Sequence, residues 1–205
     1  MILGLLFLAG GVALVVLAWR SVRGATGGNW VRAPETRLTV ESEPGAEAPR
    51  LTLTGGGGSL FGPVAADCTP PPALAAALGN PEQATRRLGG PVATGAWRVA
   101  AAVDLGAPDA LGTGTPALDE AIRKALGRTA MVLVRVGGDA APVLLHGRDG
   151  KAEGSIGGIA VEHARLATLQ SRLGDPTGLK VEVVRRRIQR AGWGTERAQR
   201  RRAIG

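Results

Sequence analysis

The chain opens on an apolar run that no polar position interrupts. Residues 2–19 read Ile-Leu-Gly-Leu-Leu-Phe-Leu-Ala-Gly-Gly-Val-Ala-Leu-Val-Val-Leu-Ala-Trp and carry no charged side chain. At about 1.5 Å rise per residue such a helix spans roughly 27 Å, close to the hydrocarbon thickness of a bilayer. Trp19 stands where an interfacial aromatic sits, and Arg20 and Arg23 follow it. A cleavable secretory signal places basic residues before its apolar stretch and a small-x-small site after it. Here only Met1 precedes the run and arginines follow it. Residues 1–20 are therefore expected to be a single-pass transmembrane helix in the lipid bilayer. Arg20, Arg23 and Arg32 all precede Glu35, so the positive-inside rule places the rest of the chain in the cytoplasm. Gly4, Gly11 and Ala18 recur every seven residues, a seam of small side chains suited to packing on a membrane protein partner.

Beyond a polar, Gly-rich linker at 21–29, the pattern changes period. Leu38 and Val40 alternate with Thr39 and Glu41, and Leu51 and Leu53 with Thr52 and Thr54, which predicts a β-hairpin in a loop-rich region spanning 30–95. Residues 55–59, Gly-Gly-Gly-Gly-Ser, are expected to be a flexible connection; no Lys-Ser/Thr pair follows, so the run does not fit a phosphate-binding loop. Residues 73–78 and 81–88 read as short helical turns between proline breaks. From 96 onward the elements sharpen. Trp97, Val99, Ala101, Val103 and Leu105 alternate with more polar positions, predicting a strand. Thr115-Pro116 starts a helix, with Asp119 and Glu120 early and Arg123 and Lys124 late. Strands are expected at 131–136 and 142–146. A helix over 159–173 carries Leu166, Leu169 and Leu173 on one face and stops at Gly174 and Pro176, and a last strand covers 179–183. The order β-α-β-β-α-β over 96–184 is that of a ferredoxin-like sandwich. The predicted fold class is thus α+β: transmembrane helix, β-hairpin, then a ferredoxin-like domain.

Composition adds two constraints. There is no Tyr, only two Phe and four Trp, so the core must be built from small aliphatic groups. Arginine dominates lysine, which occurs only at 124, 151 and 180; with the Ala and Gly content this marks a GC-rich, bacterial coding sequence. The formal net charge of +8 is concentrated at the C-terminal end, where residues 185–205 hold eight arginines and one glutamate. Arg185, Arg186, Arg187, Arg190, Arg197, Arg200, Arg201 and Arg202, with Trp193 among them, form a basic tail. Guanidinium groups bind phosphate bidentately. In a cytoplasmic tail they suit an anionic lipid surface or an acidic partner, and with Trp193 as a stacking ring they suit nucleic acid.

Chemistry for catalysis is sparse. Cys68, the single cysteine, has no histidine near it in sequence and reads as an inert apolar residue. His146 and His163 lie 17 positions apart with no metal-ligand spacing around them, and read as surface or capping histidines. Asp104, Asp109 and His146 are the residues that would form an acid-base site if the fold joined them. No catalytic, metal or cofactor motif is present, and no cofactor is implied. The expected role is a membrane-anchored, non-catalytic scaffold or accessory subunit of a membrane assembly, with a membrane-tethered nucleic-acid- or ribosome-binding protein as the alternative. The anchor makes one direct prediction: the full-length chain stays in the membrane pellet through an alkaline carbonate wash, and a chain beginning at residue 29 is released by it.

Overall fold

The computed structural model describes residues 35–85, 87, 89–107, 116–138, 140–149, 155 and 158–186. The expected anchor and linker lie outside the described residues, and among the described residues no helix is long and apolar enough to cross a membrane. Eight strands form one closed barrel: β1 (Arg37–Ser42), β2 (Arg50–Gly55), β3 (Gly58–Asp67), β4 (Gly95–Asp104), β5 (Thr129–Arg135), β6 (Val143–Arg148), β7 (Gly158–Glu162) and β8 (Lys180–Arg185). Their order around the barrel is β1-β2-β3-β7-β6-β5-β4-β8, returning to β1. The pairs β1–β8 and β6–β7 are parallel; the others are antiparallel. Helices α1 (Pro72–Ala77), α2 (Pro116–Leu126) and α3 (His163–Leu173) accompany them.

This architecture replaces the expected ferredoxin-like sandwich. Strands of the 30–95 region do not stand apart from the 96–184 region. β1 lies beside β8 with Leu38 opposite Val181 and Val40 opposite Val183, so the hairpin completes the same wall. A four-stranded open sheet would leave two edges unpaired, whereas closure removes them. Two local readings hid the barrel. The predicted helix over 159–173 begins in fact as β7: Gly158, Ile159, Ala160 and Val161 are buried in succession, and the chain becomes helical only at His163. A short apolar run buried on both faces carries no period to separate strand from helix. The glycines at 55–59 are not a flexible connection. Gly56 and Gly57 both adopt positive φ, 58° and 81°, the backbone of a two-residue hairpin turn that glycine favours, and they deliver the chain into β3. The described residues of 81–88, namely 81–85 and 87, are likewise not helical; Asn80 holds the start of that segment as a turn by donating to the Ala84 carbonyl (3.0 Å) and accepting from the Ala84 amide (2.8 Å).

Side-chain parity sorts the core. Leu38, Val40, Leu51, Leu53, Phe61, Trp97, Val99, Met131, Leu133, Leu145, Ile159, Val181 and Val183 fill the interior. The alternate positions Ala130, Val132 and Leu144 pack with Ile122 and Leu126 of α2 on the outside. β5 is therefore apolar on both faces, as its unbroken run from Ala130 to Leu133 requires. Leu166 and Leu169 of α3 join the interior cluster, and Thr129 Oγ1 bonds Gln170 Oε1, so α3 lies over the rim where β5, β6 and β7 end.

The parallel β6–β7 pairing brings backbones close at Gly158, paired with Leu144. A Cβ at 158 would overlap the Leu144 carbonyl oxygen and peptide. Gly158→Ala is expected to cost about 1–3 kcal/mol of stability as overpacking against backbone, read as a lowered denaturant midpoint. Gly58→Ala, where a Cβ meets nothing, stays within about 0.5 kcal/mol of the parent.

Candidate functional site

β3 is paired on one side along most of its length and on the other side hardly at all. Residues 58–65 follow β2 in antiparallel register. Toward β7 only Ala66 with Val161 and Asp67 with Ala160 are paired. Continuing that register would set Ala65 against Glu162 and Val64 against His163, but at His163 the chain has turned into α3. Among the described residues the outward edge of β3 therefore has no neighbouring strand over residues 58–64. Pro63, which lacks an amide donor, sits where a strand tolerates it, at an edge.

α3 forms the opposite wall, leaving a cleft of about 760 Å³. Residues 59–65 line one side; Arg148 from β6 and Glu162, Arg165, Thr168 and Arg172 line the other. Arg165, Thr168 and Arg172 are spaced three and four apart, so one face of α3 presents them together. Arg165 Nε lies 3.8 Å from Glu162 Oε2, and Arg148 Nη1 lies 3.7 Å from Asp67 Oδ2. Arg172 donates through Nη1 to the Leu60 carbonyl, and its guanidinium stands 6.0 Å from the Phe61 ring centroid. Among the described residues no carboxylate pairs with Arg172. The lining is thus three guanidinium groups to one carboxylate, beside an open strand edge. This arrangement binds anionic and hydrogen-bonding groups.

The residues expected to form an acid-base site do not converge. Val103, Ala130 and His146 share one row across β4, β5 and β6, while Asp104 with Thr129 belongs to the next row and the other face. Asp104 is exposed and accepts from the Gly106 amide at 2.8 Å, closing a turn. Asp109 lies outside the described residues. His146 is not a surface histidine: it is fully buried, and its Nδ1 lies 2.7 Å from the Gly147 carbonyl oxygen. Burial holds its pKa down to about 4; the positive partners His163 and Arg148 act in the same direction, while the bond to Gly147 and the Asp67 carboxylate oppose it. His163 tucks against Gly127 and Gly147, each of which leaves it the room a Cβ would fill. Its Nε2 is buried without a hydrogen-bond partner among the described residues. Cys68 is buried, and its thiol is pushed up to about 12 by that burial and by the neighbouring Asp67 charge, with Arg185 opposing. A thiol so held carries almost no thiolate near neutral pH.

Of the proposed tail residues, Arg185 and Arg186 are within the described chain. Arg185 ends β8. Arg186 donates its amide to the Ser42 carbonyl (2.9 Å) and pairs its guanidinium with Glu41 and, at 3.7 Å, Glu43. These two arginines belong to the β1–β8 seam. Arg187, Arg190, Trp193, Arg197, Arg200, Arg201 and Arg202 lie outside the described residues. The cleft arginines were missed because 148, 165 and 172 are scattered in sequence. Pro63 within an apolar stretch and the spacing of Arg165 and Arg172 were the available signals.

The buried imidazole predicts an acid dependence. Unfolded, His146 takes up its proton near 6.5; folded, only near 4. Between those values the unfolded state binds more protons, so its stabilising effect is complete above 6.5 and is lost as pH falls toward 4. Folding stability is expected to drop by roughly 2 kcal/mol from this group between pH 7 and pH 5. Urea midpoints at the two pH values check it, with His146→Gln showing a smaller drop.

Comparison with known proteins yields little. No protein-family model matches the chain, and no curated protein matches it. Among solved structures, L,D-transpeptidase 1 of Mycobacterium tuberculosis aligns at 16% identity with a TM-score of 0.33, over 73% of this chain and 62% of that one. The chain thus spans less than two thirds of that protein, and a likeness at this TM-score assigns it neither a family nor an activity.

Proposed function

We propose that this chain is a membrane-anchored, non-catalytic accessory subunit whose barrel serves as a docking domain for a partner in a membrane assembly. The observation that carries this reading is the cleft between β3 and α3. Its exposed chemistry is three arginines and an open strand edge, groups that hold a partner. Cys68 and His146 are both buried in the wall rather than exposed in the cleft, and burial raises the Cys68 thiol to about 12, away from its nucleophilic thiolate form. The apolar run at 2–19 supports attachment to a bilayer.

A nucleic-acid role for the basic tail has less support. Arg186 is already neutralised by Glu41 and Glu43, and Arg185 is part of a strand. The docking reading is tested by cross-linking in native membranes with a photoreactive side chain placed at Thr168 in the cleft, and at Gly45 in the β1–β2 loop as a control. Discrete adducts with one membrane-fraction partner from position 168 and none from position 45 are expected. Monomer alone from both positions would refute the reading, and RNA binding lost on deletion of 187–205 would favour the tail.

A further inference from the structure

We infer that the cleft binds an extended acidic peptide segment, which adds to the outer edge of β3 as a further strand and sets its carboxylates on Arg148, Arg165 and Arg172. This inference rests on the docking reading and names the chemistry of the partner. Two independent features meet at the site. The first is the edge. Over residues 58–64, β3 is paired among the described residues with β2 alone, and Ser59, Leu60, Gly62 and Pro63 are exposed. An unpaired edge offers its amides and carbonyls to any extended chain. The Leu60 carbonyl shows which way that edge faces, since the Arg172 guanidinium from the opposite wall already donates to it. An incoming strand replaces that contact with a backbone amide and frees Arg172 for a carboxylate.

The second feature is charge. Across the cleft from the edge stand Arg165 and Arg172 on α3, with Arg148 at the end of β6. Side chains of an added strand alternate between faces, so every second residue points the same way. A segment with acidic residues at alternate positions presents them to the guanidinium row, where paired charged hydrogen bonds are the strongest available. The intervening residues face Leu60, which is 45% exposed and one of the large hydrophobic side chains the barrel leaves uncovered. An apolar alternate residue covers it. Glu162 within the cleft pairs with Arg165 across one helical turn at 3.8 Å, a long, exposed contact that an incoming carboxylate displaces.

The test uses the full-length chain in detergent micelles and a fluorescein-labelled octapeptide of alternating Glu and Val, read by fluorescence anisotropy. Three comparisons are made: a Lys-Val octapeptide, the Glu-Val octapeptide with alternate amides N-methylated, and inorganic phosphate as competitor. Binding of the Glu-Val peptide alone is expected, weakening with added salt. Arg172→Gln and Arg165→Gln are each expected to weaken it about fivefold, the size of one charge-assisted hydrogen bond at a wet site. Arg165 is exposed and its ion pair is with Glu162 on the same helical turn, so its variant keeps the fold and guards against a merely unfolded Arg172→Gln protein. Equal binding of the N-methylated peptide would overturn strand addition, and displacement by phosphate as effective as by peptide would make the cleft a small-anion site instead. No binding of the Glu-Val peptide would overturn the inference while leaving the docking reading to the cross-linking result.

Discussion

Barrel closure rests on two residue pairs, Ala66 with Val161 and Asp67 with Ala160. Every other neighbouring pair of strands shares a longer ladder. The short ladder is a direct result of β7 becoming helical at His163. It closes the wall just far enough to bury Ala66, Val161 and Ile159, and then releases β3. The same event that seals the barrel thus opens the cleft. Gly158 allows β7 to lie against β6, because any side chain there would meet the Leu144 backbone. Without that approach Ala160 and Val161 could not reach β3, and the interior of small aliphatic groups would stand open to water on one side.

α3 then does two jobs set by its two faces. Leu166 and Leu169 enter the interior cluster, which supplies the helix with the tertiary packing that a segment of this length needs. The face bearing Arg165, Thr168 and Arg172 looks onto the released edge of β3. Phe61 links the two sides: its ring is buried in the core while the Arg172 guanidinium stands over its face, 6.0 Å from the centroid. Packing of one helix face therefore positions the charges of the other.

Titratable groups divide along the same wall. Asp67, at the closure, is the common neighbour of Cys68, His146 and Arg148. The Arg148 guanidinium keeps this carboxylate paired at the one place where the wall is thinnest. Cys68 and His146 are held in their neutral forms by burial, and the protein meets its surroundings through arginine.

Much of the barrel was legible in the order of residues. The period-two stretches at 38–41, 51–54 and 179–183 became β1, β2 and β8, because one face of each is buried and the other more exposed; 97–105 became β4, but a register shift after Val99 turns Trp97 and Val99 to the interior and Val103 and Leu105 to the outer cluster. Proline and early acidic residues marked α2, and Gly174 marked the end of α3. What remained hidden depended on partners distant in sequence. β3 lost its period to Gly62 and Pro63, whose backbone makes sense only beside β2. β7 lost its period because both its faces are covered, one by the interior and one by packing outside the wall. The burial of His146 was equally invisible, since its row-mates Ala130 and Ala160 come from strands on either side. The arginine cleft joins β6 and α3 to the edge of β3, with Arg172 reaching Leu60 across 112 positions of sequence. Alternation records which face of a segment avoids water, and that is local; which strand lies next to which, and so which edge is left open, is decided by how the whole set of faces closes around one core.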